Sequence, residues 1–188
     1  MQKSNVYRGF VLLMVLIFIA GCAEQTARDI IPNASFETED DGRPAVWRTR
    51  TWQGKGLSGY DETGRTGTRS LSLQSGQGAD MSWYAIIPVA PYSKYRFTGW
   101  IKTKDLQATS GRGALFNIHG FQNASTDPLT GTQDWTQVSM EFETGAHDAI
   151  HFNCLFGGWG FATGSAWYDD LHLELISTKP LNLSLIHI

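Results

Sequence analysis

Three residues spaced two apart, Arg48, Arg50 and Trp52, place two guanidinium groups and an indole in one short run. Thr49 and Thr51 lie between them, so an extended chain would turn all three side chains to the same side. Guanidinium groups donate paired hydrogen bonds, and a flat indole offers an apolar stacking surface. This face is suited to a ligand that carries both hydroxyl groups and flat apolar faces.

Other runs add polar residues to such a face by the same alternation. His151 and Asn153 alternate with apolar residues in 149–156, and Asn117 and His119 belong to a similar run in 113–119. Cys154, on the apolar side, is predicted to be a buried small residue and not a reactive thiol.

Exposed aromatic residues are predicted from their neighbours. Trp159 stands in Gly157-Gly158-Trp159-Gly160, where glycines leave the indole unshielded, and Trp83 and Tyr84 compete for another outward position. Sugar rings stack on flat aromatic groups while their hydroxyls bond polar side chains, so a glycan groove is the expected role. A face that docks another domain is the alternative. The predicted binding residues are Arg48, Arg50, Trp52, Trp83, Asn117, His119, Asn153 and Trp159.

The sequence contains no catalytic signature of the metalloprotease, serine hydrolase, phosphate-loop or Cys-x-x-Cys kinds, so the chain as given is not predicted to be an enzyme. The acidic run Glu39-Asp40-Asp41 precedes Gly42 and is interpreted as a turn, not as a glycosidase carboxylate pair. A net charge of -3 without a lysine and arginine cluster argues against nucleic acid as the partner.

The elements that must position these residues are strands. Short β-patterned runs alternate with turns, and no run has a useful amphipathic helical period. The class is therefore all-β, and this spacing favours a two-sheet β-sandwich of the jelly-roll type. Strands are predicted near 45–53, 69–75, 82–89, 94–102, 113–119, 135–143, 149–156 and 166–176.

Three motifs resemble those of jelly-roll carbohydrate-binding modules, in particular families four, nine and twenty-two. They are Asn-x-x-Phe-Glu at 33–37, Gly-Thr-Arg-Ser-Leu at 67–71 and Trp-Tyr-Asp-Asp at 167–170. The resemblance covers residues 30–176 and implies a galactose-binding-like sandwich that binds a poly- or oligosaccharide. It also implies aromatic core residues at Trp47, Trp135 and Trp167.

Glu37 and Asp169 lie in the first and last segments of this domain, which are neighbours if the sandwich closes. Two carboxylates held together without a cation would repel each other. The resemblance implies a structural Ca²⁺ ion held by Glu37 and Asp169, with Asp170 and the carbonyls of 64–67 as weaker candidates. In the alternative interpretation, Asp169 caps a turn and Glu37 pairs with an arginine.

Residues 1–22 have the order of a secretion signal, with Lys3 and Arg8 before an apolar run from Phe10 to Ala20. Ile19-Ala20-Gly21-Cys22 resembles a bacterial lipobox, which implies lipidation of Cys22 and a lipid-anchored protein of the cell envelope, at the outer membrane or cell surface. A plain signal peptide is the alternative. Residues 23–29 are interpreted as a tether.

Residues 177–188 show no turn and no partner strand, and we interpret them as a non-native tail, with a terminal β-strand as the alternative. If the native chain is longer, the domain would be an accessory or structural part of an enzyme or redox protein. That is the alternative to a binding module.

Overall fold

A computed structural model describes residues 30–179 of the chain. The predicted signal segment, the tether, Cys22 and residues 180–188 lie outside the described residues. Within the described range no helix is long and apolar enough to cross a membrane. The strands are β1 (Glu39–Asp40), β2 (Arg43–Pro44), β3 (Arg48–Gly54), β4 (Leu57–Asp61), β5 (Ser70–Pro88), β6 (Ser93–Ala108), β7 (Gly113–Ile118), β8 (Gly131–Glu143), β9 (Ala149–Gly157) and β10 (Ala162–Thr178).

The 19-residue strand β5 builds two facing sheets out of one curled antiparallel sheet. Its first half, residues 70–79, pairs with β4 and β10, whereas residues 79–88 pair with β3 and β9. We call β3-β5-β9-β7 the front sheet and β4-β5-β10-β6-β8 the back sheet. The all-β sandwich expected from the sequence is therefore the observed architecture, since strands that continue from one sheet into the other form the corners of such folds.

Two predicted strands, 69–75 and 82–89, are one strand in the structure. The predicted strands leave a gap at 76–81, but in the structure the extended chain continues there while the pairing of β5 with β10 shifts in register. The sequence pattern also missed β4, whose exposed Leu57 and whose Gly59 give no apolar alternation. Backbone pairing with β5 makes this segment a strand, which is a tertiary effect.

The core lies between the sheets and is rich in aromatic rings. Phe97 of β6 packs 4.8 Å from Phe116 of β7 and 4.6 Å from Phe152 of β9, measured between ring centroids. Cys154 is buried on the same side, which confirms the alternation, and burial raises the pKa of its thiol well above the usual value. These contacts join the front and back sheets into one interior.

Of the three tryptophans predicted to fill the core, only Trp47 does so, with 4% of its surface exposed. Trp135 is half-buried, and Trp167 lies on the outer face of the back sheet, where its Nε1 donates to Asp61 Oδ2 at 2.8 Å. The prediction for these two was wrong. In β10 the neighbouring Tyr168 points inward and is fully buried, so strand alternation turns Trp167 outward.

The last strand extends slightly beyond the predicted end at residue 176. Thr178 pairs with Ser93, and the Lys179 backbone N–H donates to the Tyr92 carbonyl at 2.8 Å. Residues 177–179 are thus part of the sandwich and not of a separate tail.

Candidate binding face

The outer face of the front sheet gathers most of the predicted binding residues. Cross-strand pairing aligns Arg48, Tyr84, Asn153 and Asn117 in one row across β3, β5, β9 and β7. Directly opposed residues on neighbouring strands lie on the same side of a sheet. Arg48, Asn117 and Asn153 therefore share this face.

Trp52 sits where the pairing of β3 with β5 shifts in register, between Thr51 and Gln53. Its indole is 37% exposed and stacks on the ring of His119, with centroids 6.2 Å apart and planes 22° apart. A β-bulge re-aims the side chains near it. Trp52 of the edge strand β3 thus meets His119, which directly follows the opposite edge strand β7, above the floor of the front sheet.

Arg50 is held against two aromatic rings of this face. Its guanidinium carbon lies 4.6 Å from the ring centroid of Tyr84 and 5.8 Å from that of Trp52. Guanidinium groups stack favourably on aromatic faces and keep their N–H edges free for a ligand. Tyr84, not Trp83, is the outward aromatic residue of β5.

Trp159 is the most exposed aromatic side chain of the site, at 66%, and stands on a tight turn after β9. Gly157, Gly158 and Trp159 all have positive φ angles, 98°, 73° and 63°, and the last is uncommon for a residue with a side chain. The guanidinium of Arg112 lies 5.5 Å from the centroid of the Trp159 ring. The turn therefore presents an indole with a cation on it.

Asp80 fixes this turn from below. Its side chain is 7% exposed, and its Oδ1 accepts a hydrogen bond from the Gly158 N–H at 3.2 Å. Burial raises the pKa of Asp80, although hydrogen bonds from the backbone of Gly158, Trp159 and Gly160 act in the opposite direction. Backbone N–H groups that converge on one carboxylate hold the turn in a single conformation.

Together these residues line a cleft. One cavity of about 390 Å³ lies between Trp52, Asp80 and Trp159, and a second of about 580 Å³ lies between Arg112, Trp159 and residues 117–125. The two are adjacent, since both are lined by Asn117, His119 and Trp159. A cleft with two indoles and a few polar groups is a typical form of a small-molecule or oligosaccharide site.

The amide pair under the cleft is largely satisfied by the protein itself. Asn153 is 1% exposed, and its Nδ2 donates to Asn117 Oδ1 at 3.0 Å. The Ser82 hydroxyl donates to Asn153 Oδ1 at 3.3 Å. Asn153 consequently supports the floor, whereas Asn117 itself lines both cavities.

The prediction for Trp83 was wrong. This residue faces the core, is 6% exposed, and donates from Nε1 to the Ser72 carbonyl at 3.0 Å. An indole without accessible surface cannot stack on a ligand. Sequence reasoning missed Tyr84, Arg112 and Asp80 as parts of the site; only Tyr84 had been weighed, as the alternative to Trp83.

Glu37 and Asp169 hold the two ends of one loop, Arg65–Arg69, through backbone N–H groups. Glu37 Oε1 accepts hydrogen bonds from the N–H of Thr68 at 3.0 Å and of Arg69 at 2.8 Å. Burial alone would raise the pKa of Glu37, but these bonds outweigh it and lower the pKa. Asp169 Oδ2 accepts from the Arg65 N–H at 2.6 Å.

Asp169 and Asp170 have different surroundings. Asp169 is fully buried, and burial raises its pKa to about 7 against the opposing effect of its backbone hydrogen bonds. Asp170, by contrast, binds the Arg65 side chain at 2.7 Å and the Thr66 hydroxyl at 2.6 Å. The Arg65 charge is therefore directed to Asp170, and within residues 30–179 no cationic side chain pairs with the Asp169 carboxylate.

This oxygen set suits a hard cation, but only with help from the backbone. Residues 30–179 contain no cluster of three His, Cys, Asp or Glu side chains able to hold a metal ion. Calcium accepts backbone carbonyls as ligands beside carboxylates. Glu37, Asp169 and the carbonyls of the loop between them could therefore supply a calcium shell.

Comparison with solved structures identifies the type of β-sandwich that this chain forms. No protein-family model matches the sequence, and no curated protein matches it. TmCBM61, solved in complex with beta-1,4-galactotriose, is similar with a TM-score of 0.53 and 14% identity, over 79% of this chain and 99% of that one. At this identity the similarity establishes the fold, the β-sandwich of carbohydrate-binding modules, as the motifs had indicated.

Two further solved structures contain the same fold within longer chains. The enzymatically active domain of tailspike protein 4 of bacteriophage CBA120 has a TM-score of 0.54 and 12% identity, over 79% of this chain and 21% of that one. An arabinose-bound α-L-arabinofuranosidase, MgGH51, has a TM-score of 0.54 and 18% identity, over 78% of this chain and 26% of that one. This chain spans about a fifth of the tailspike chain and about a quarter of the arabinofuranosidase chain.

Proposed function

We propose that residues 30–179 form a carbohydrate-binding module that takes a poly- or oligosaccharide into the cleft of the front sheet and does not catalyse a reaction on it. The observation that carries this proposal is the pair of exposed indoles, Trp52 and Trp159, on one cleft with a polar floor. The fold shared with TmCBM61 supports it.

The chemistry of the cleft matches the surface of a sugar chain. The C–H faces of sugar rings pack on indoles, and their hydroxyls exchange bonds to water for bonds to Arg50, Asn117 and His119. Each such exchange contributes little net free energy, so discrimination depends on the stacked rings. The affinity expected for a neutral chain is modest.

The acidic groups of the cleft do not suit glycoside hydrolysis. A glycosidase of the usual kind uses two carboxyl groups on either side of the bond that it breaks. In the described part of the chain, Asp80 is the one carboxylate that lines these cavities, and its oxygens are directed to the Trp159 turn. This arrangement supports binding without catalysis.

Replacing Trp159 or Trp52 by alanine tests the proposal. Each substitution should weaken glycan binding by about 1–3 kcal/mol, which is the contribution that an aromatic side chain makes when a nucleic-acid base stacks on it. The full chain is first screened on a glycan array, and affinities for the strongest hit are then measured by calorimetry.

Trp167→Ala is the matched control, since that indole lies on the outer face of the back sheet. It should remove an aromatic ring without changing glycan affinity. If the folded Trp159→Ala and Trp52→Ala proteins bind like the wild type, this cleft is not the site. A wild-type chain that binds no glycan would favour the docking role.

We also propose a lipid anchor at Cys22, on the strength of the apolar run that ends in Ile-Ala-Gly-Cys. A protein produced in bacteria should then partition with membranes, and Cys22→Ser should release it. Fractionation and mass spectrometry of the mature N-terminus provide the measurement. A mature N-terminus other than Cys22 contradicts the proposal.

A structural calcium ion between Glu37 and Asp169 is a third proposal. It is supported by the full burial of Asp169, which has no cationic side-chain partner in the described part of the chain, and by the convergence of both carboxylates on one loop. A cation there would compensate the charge that burial makes costly. Its role would be to hold the first and last segments of the sandwich on the Arg65–Arg69 loop.

A second candidate function is that of an accessory domain in a longer enzyme. The tailspike protein and the arabinofuranosidase support it, because each contains this fold as a minor part of a longer chain. The complete gene decides between the two: a catalytic domain in the same reading frame would establish the accessory role.

A further inference from the structure

Three arginines near the cleft have no carboxylate partner among residues 30–179, unlike several other arginines of the protein. Away from the cleft, Arg65 pairs with Asp170 at 2.7 Å, Arg69 with Glu39 at 3.3 Å and Arg96 with Glu141 at 2.9 Å. Among residues 30–179, no carboxylate lies within ion-pair distance of Arg48, Arg50 or Arg112. The cleft therefore carries positive charge that this part of the protein does not neutralise.

These three guanidinium groups lie toward the two edges of the front sheet: Arg112 lines the cleft, Arg50 stacks on Trp52 of the cleft, and Arg48 lies beside Tyr84 on the same face. Arg48 and Arg50 belong to the edge strand β3, and Arg112 immediately precedes the opposite edge strand, β7. Three strand spacings separate β3 from β7, about 14 Å along the sheet. A ligand that reaches both sides must be longer than one sugar ring, and it would meet a cation at each end.

Two of the guanidinium groups are also held in defined positions. Arg50 stacks on Tyr84 and Trp52, and Arg112 stacks on Trp159 and donates from Nη1 to the Ser125 hydroxyl at 3.1 Å. Arg48 lines a third cavity, of about 270 Å³, beside Tyr84. A planar guanidinium fixed on a ring can offer two parallel N–H groups to a carboxylate or sulfate at little further cost in conformational entropy.

In the described part of the chain, little negative charge offsets the arginines of this face. Asp80 is the carboxylate of the cleft within the described range, and it is 7% exposed and engaged by the backbone of the Trp159 turn. The chain as a whole has a net charge of -3, so the positive charge of this face is a local feature of an acidic protein. Such a local field attracts an anion and loses strength as salt is added.

We propose that the preferred ligand is an anionic glycan, whose carboxylate or sulfate groups pair with Arg48, Arg50 and Arg112 while its sugar rings stack on Trp52 and Trp159. This inference rests on the proposed function and narrows its ligand class. Single-stranded nucleic acid also combines negative charge with stacking rings. Nucleic-acid binding depends on many phosphate contacts by a strongly basic surface, so three arginines in a chain of net charge -3 favour the glycan.

The test compares polymers that have the same sugar backbone and differ in charge. The full chain is offered polygalacturonate and its methyl ester, carrageenan and its desulfated form, and an array of neutral, uronate-containing and sulfated oligosaccharides. The polygalacturonate arm reports on carboxylate and the carrageenan arm on sulfate. We expect at least one anionic polymer to bind about tenfold more tightly than its neutral form for each ion pair made, and the advantage should shrink with added salt.

Arginine variants connect this preference to the cleft. The double variant Arg48→Gln, Arg112→Gln should lose most of the advantage of the anionic polymer and keep its circular dichroism spectrum. Arg96→Gln is the matched control, because Arg96 pairs with Glu141 on the back sheet, and it should retain the advantage. An equal loss in both variants would overturn the assignment to the cleft.

The remaining outcomes distinguish failure of the anionic-ligand proposal from failure of the proposed carbohydrate-binding function. Binding of neutral glycans with equal or higher affinity would overturn the anionic ligand and leave the proposed function in place. Binding of single-stranded DNA without any anionic glycan would overturn it in favour of nucleic acid. If no glycan of either kind binds, the proposed function fails together with this inference.

Discussion

Trp47→Ala is expected to cost about 3–5 kcal/mol of folding free energy, which is the usual range for truncating a buried tryptophan. The Trp47 side chain is 4% exposed and meets Phe36 edge-on, with ring centroids 5.2 Å apart. Its Nε1 also donates to the Pro32 carbonyl at 3.3 Å. The substitution would open a cavity between the first segment and the core, and domains are stable by only about 5–15 kcal/mol in total.

Denaturant unfolding followed by tryptophan fluorescence or circular dichroism measures this effect. Trp52→Ala is the control, because its indole is exposed on the binding face and its removal should leave the unfolding midpoint nearly unchanged. Equal destabilisation by both substitutions would mean that Trp47 does not have the core role assigned to it.

Calcium is expected to raise the melting temperature, and a chelator is expected to lower it. An ion that binds only the folded state stabilises that state by about 2.7 kcal/mol at a hundredfold excess over its dissociation constant. Scanning calorimetry with calcium, with chelator and with magnesium measures the response. Magnesium should act weakly, since it requires a smaller and more regular shell than a carboxylate and carbonyl loop provides.

Asp169→Asn connects this response to the site. The variant keeps the shape of the buried side chain and removes one ligand charge, so its melting temperature should no longer depend on calcium. Asp134→Asn is the control, because Asp134 lies on β8, where it pairs with Lys102, and its variant should respond to calcium as the wild type does. A wild-type melting temperature indifferent to calcium and chelator, with no metal in elemental analysis, would contradict the proposal.

Much of the binding face could be predicted because strand alternation is a local property. Successive side chains of a strand point to opposite sides, so residues two apart share a face. This spacing was enough to assign Arg48 and Arg50 to one face, and likewise Asn117 and His119. Alternation alone does not say which of two neighbouring residues faces the core, so the prediction fails where the sequence fits either choice. In β5 it could not separate Trp83 from Tyr84, because both are aromatic and the apolar pattern fits either choice.

The core tryptophans show the limit of motif-based inference. Trp167 stands in a motif that resembles one of carbohydrate-binding modules, yet its indole donates a hydrogen bond to Asp61 on the outside of the back sheet. The phase of β10 is set by Tyr168, whose hydroxyl donates to the Leu155 carbonyl of the front sheet at 2.7 Å. A motif identifies the strand, but packing against the other sheet decides which residue of the strand enters the core.

The sequence by itself determined the all-β class, the sandwich and the side on which most polar residues lie, because these depend on short-range periodicity and turn chemistry. Only the tertiary structure decided which side chains meet. Trp52 reaches His119 across the sheet, Arg112 stacks on Trp159, and Asp169 binds the N–H of Arg65, a residue 104 positions away in the chain. Such contacts follow from the order of the strands and the curl of the sheet, and both are set by pairings between distant segments that no local pattern encodes.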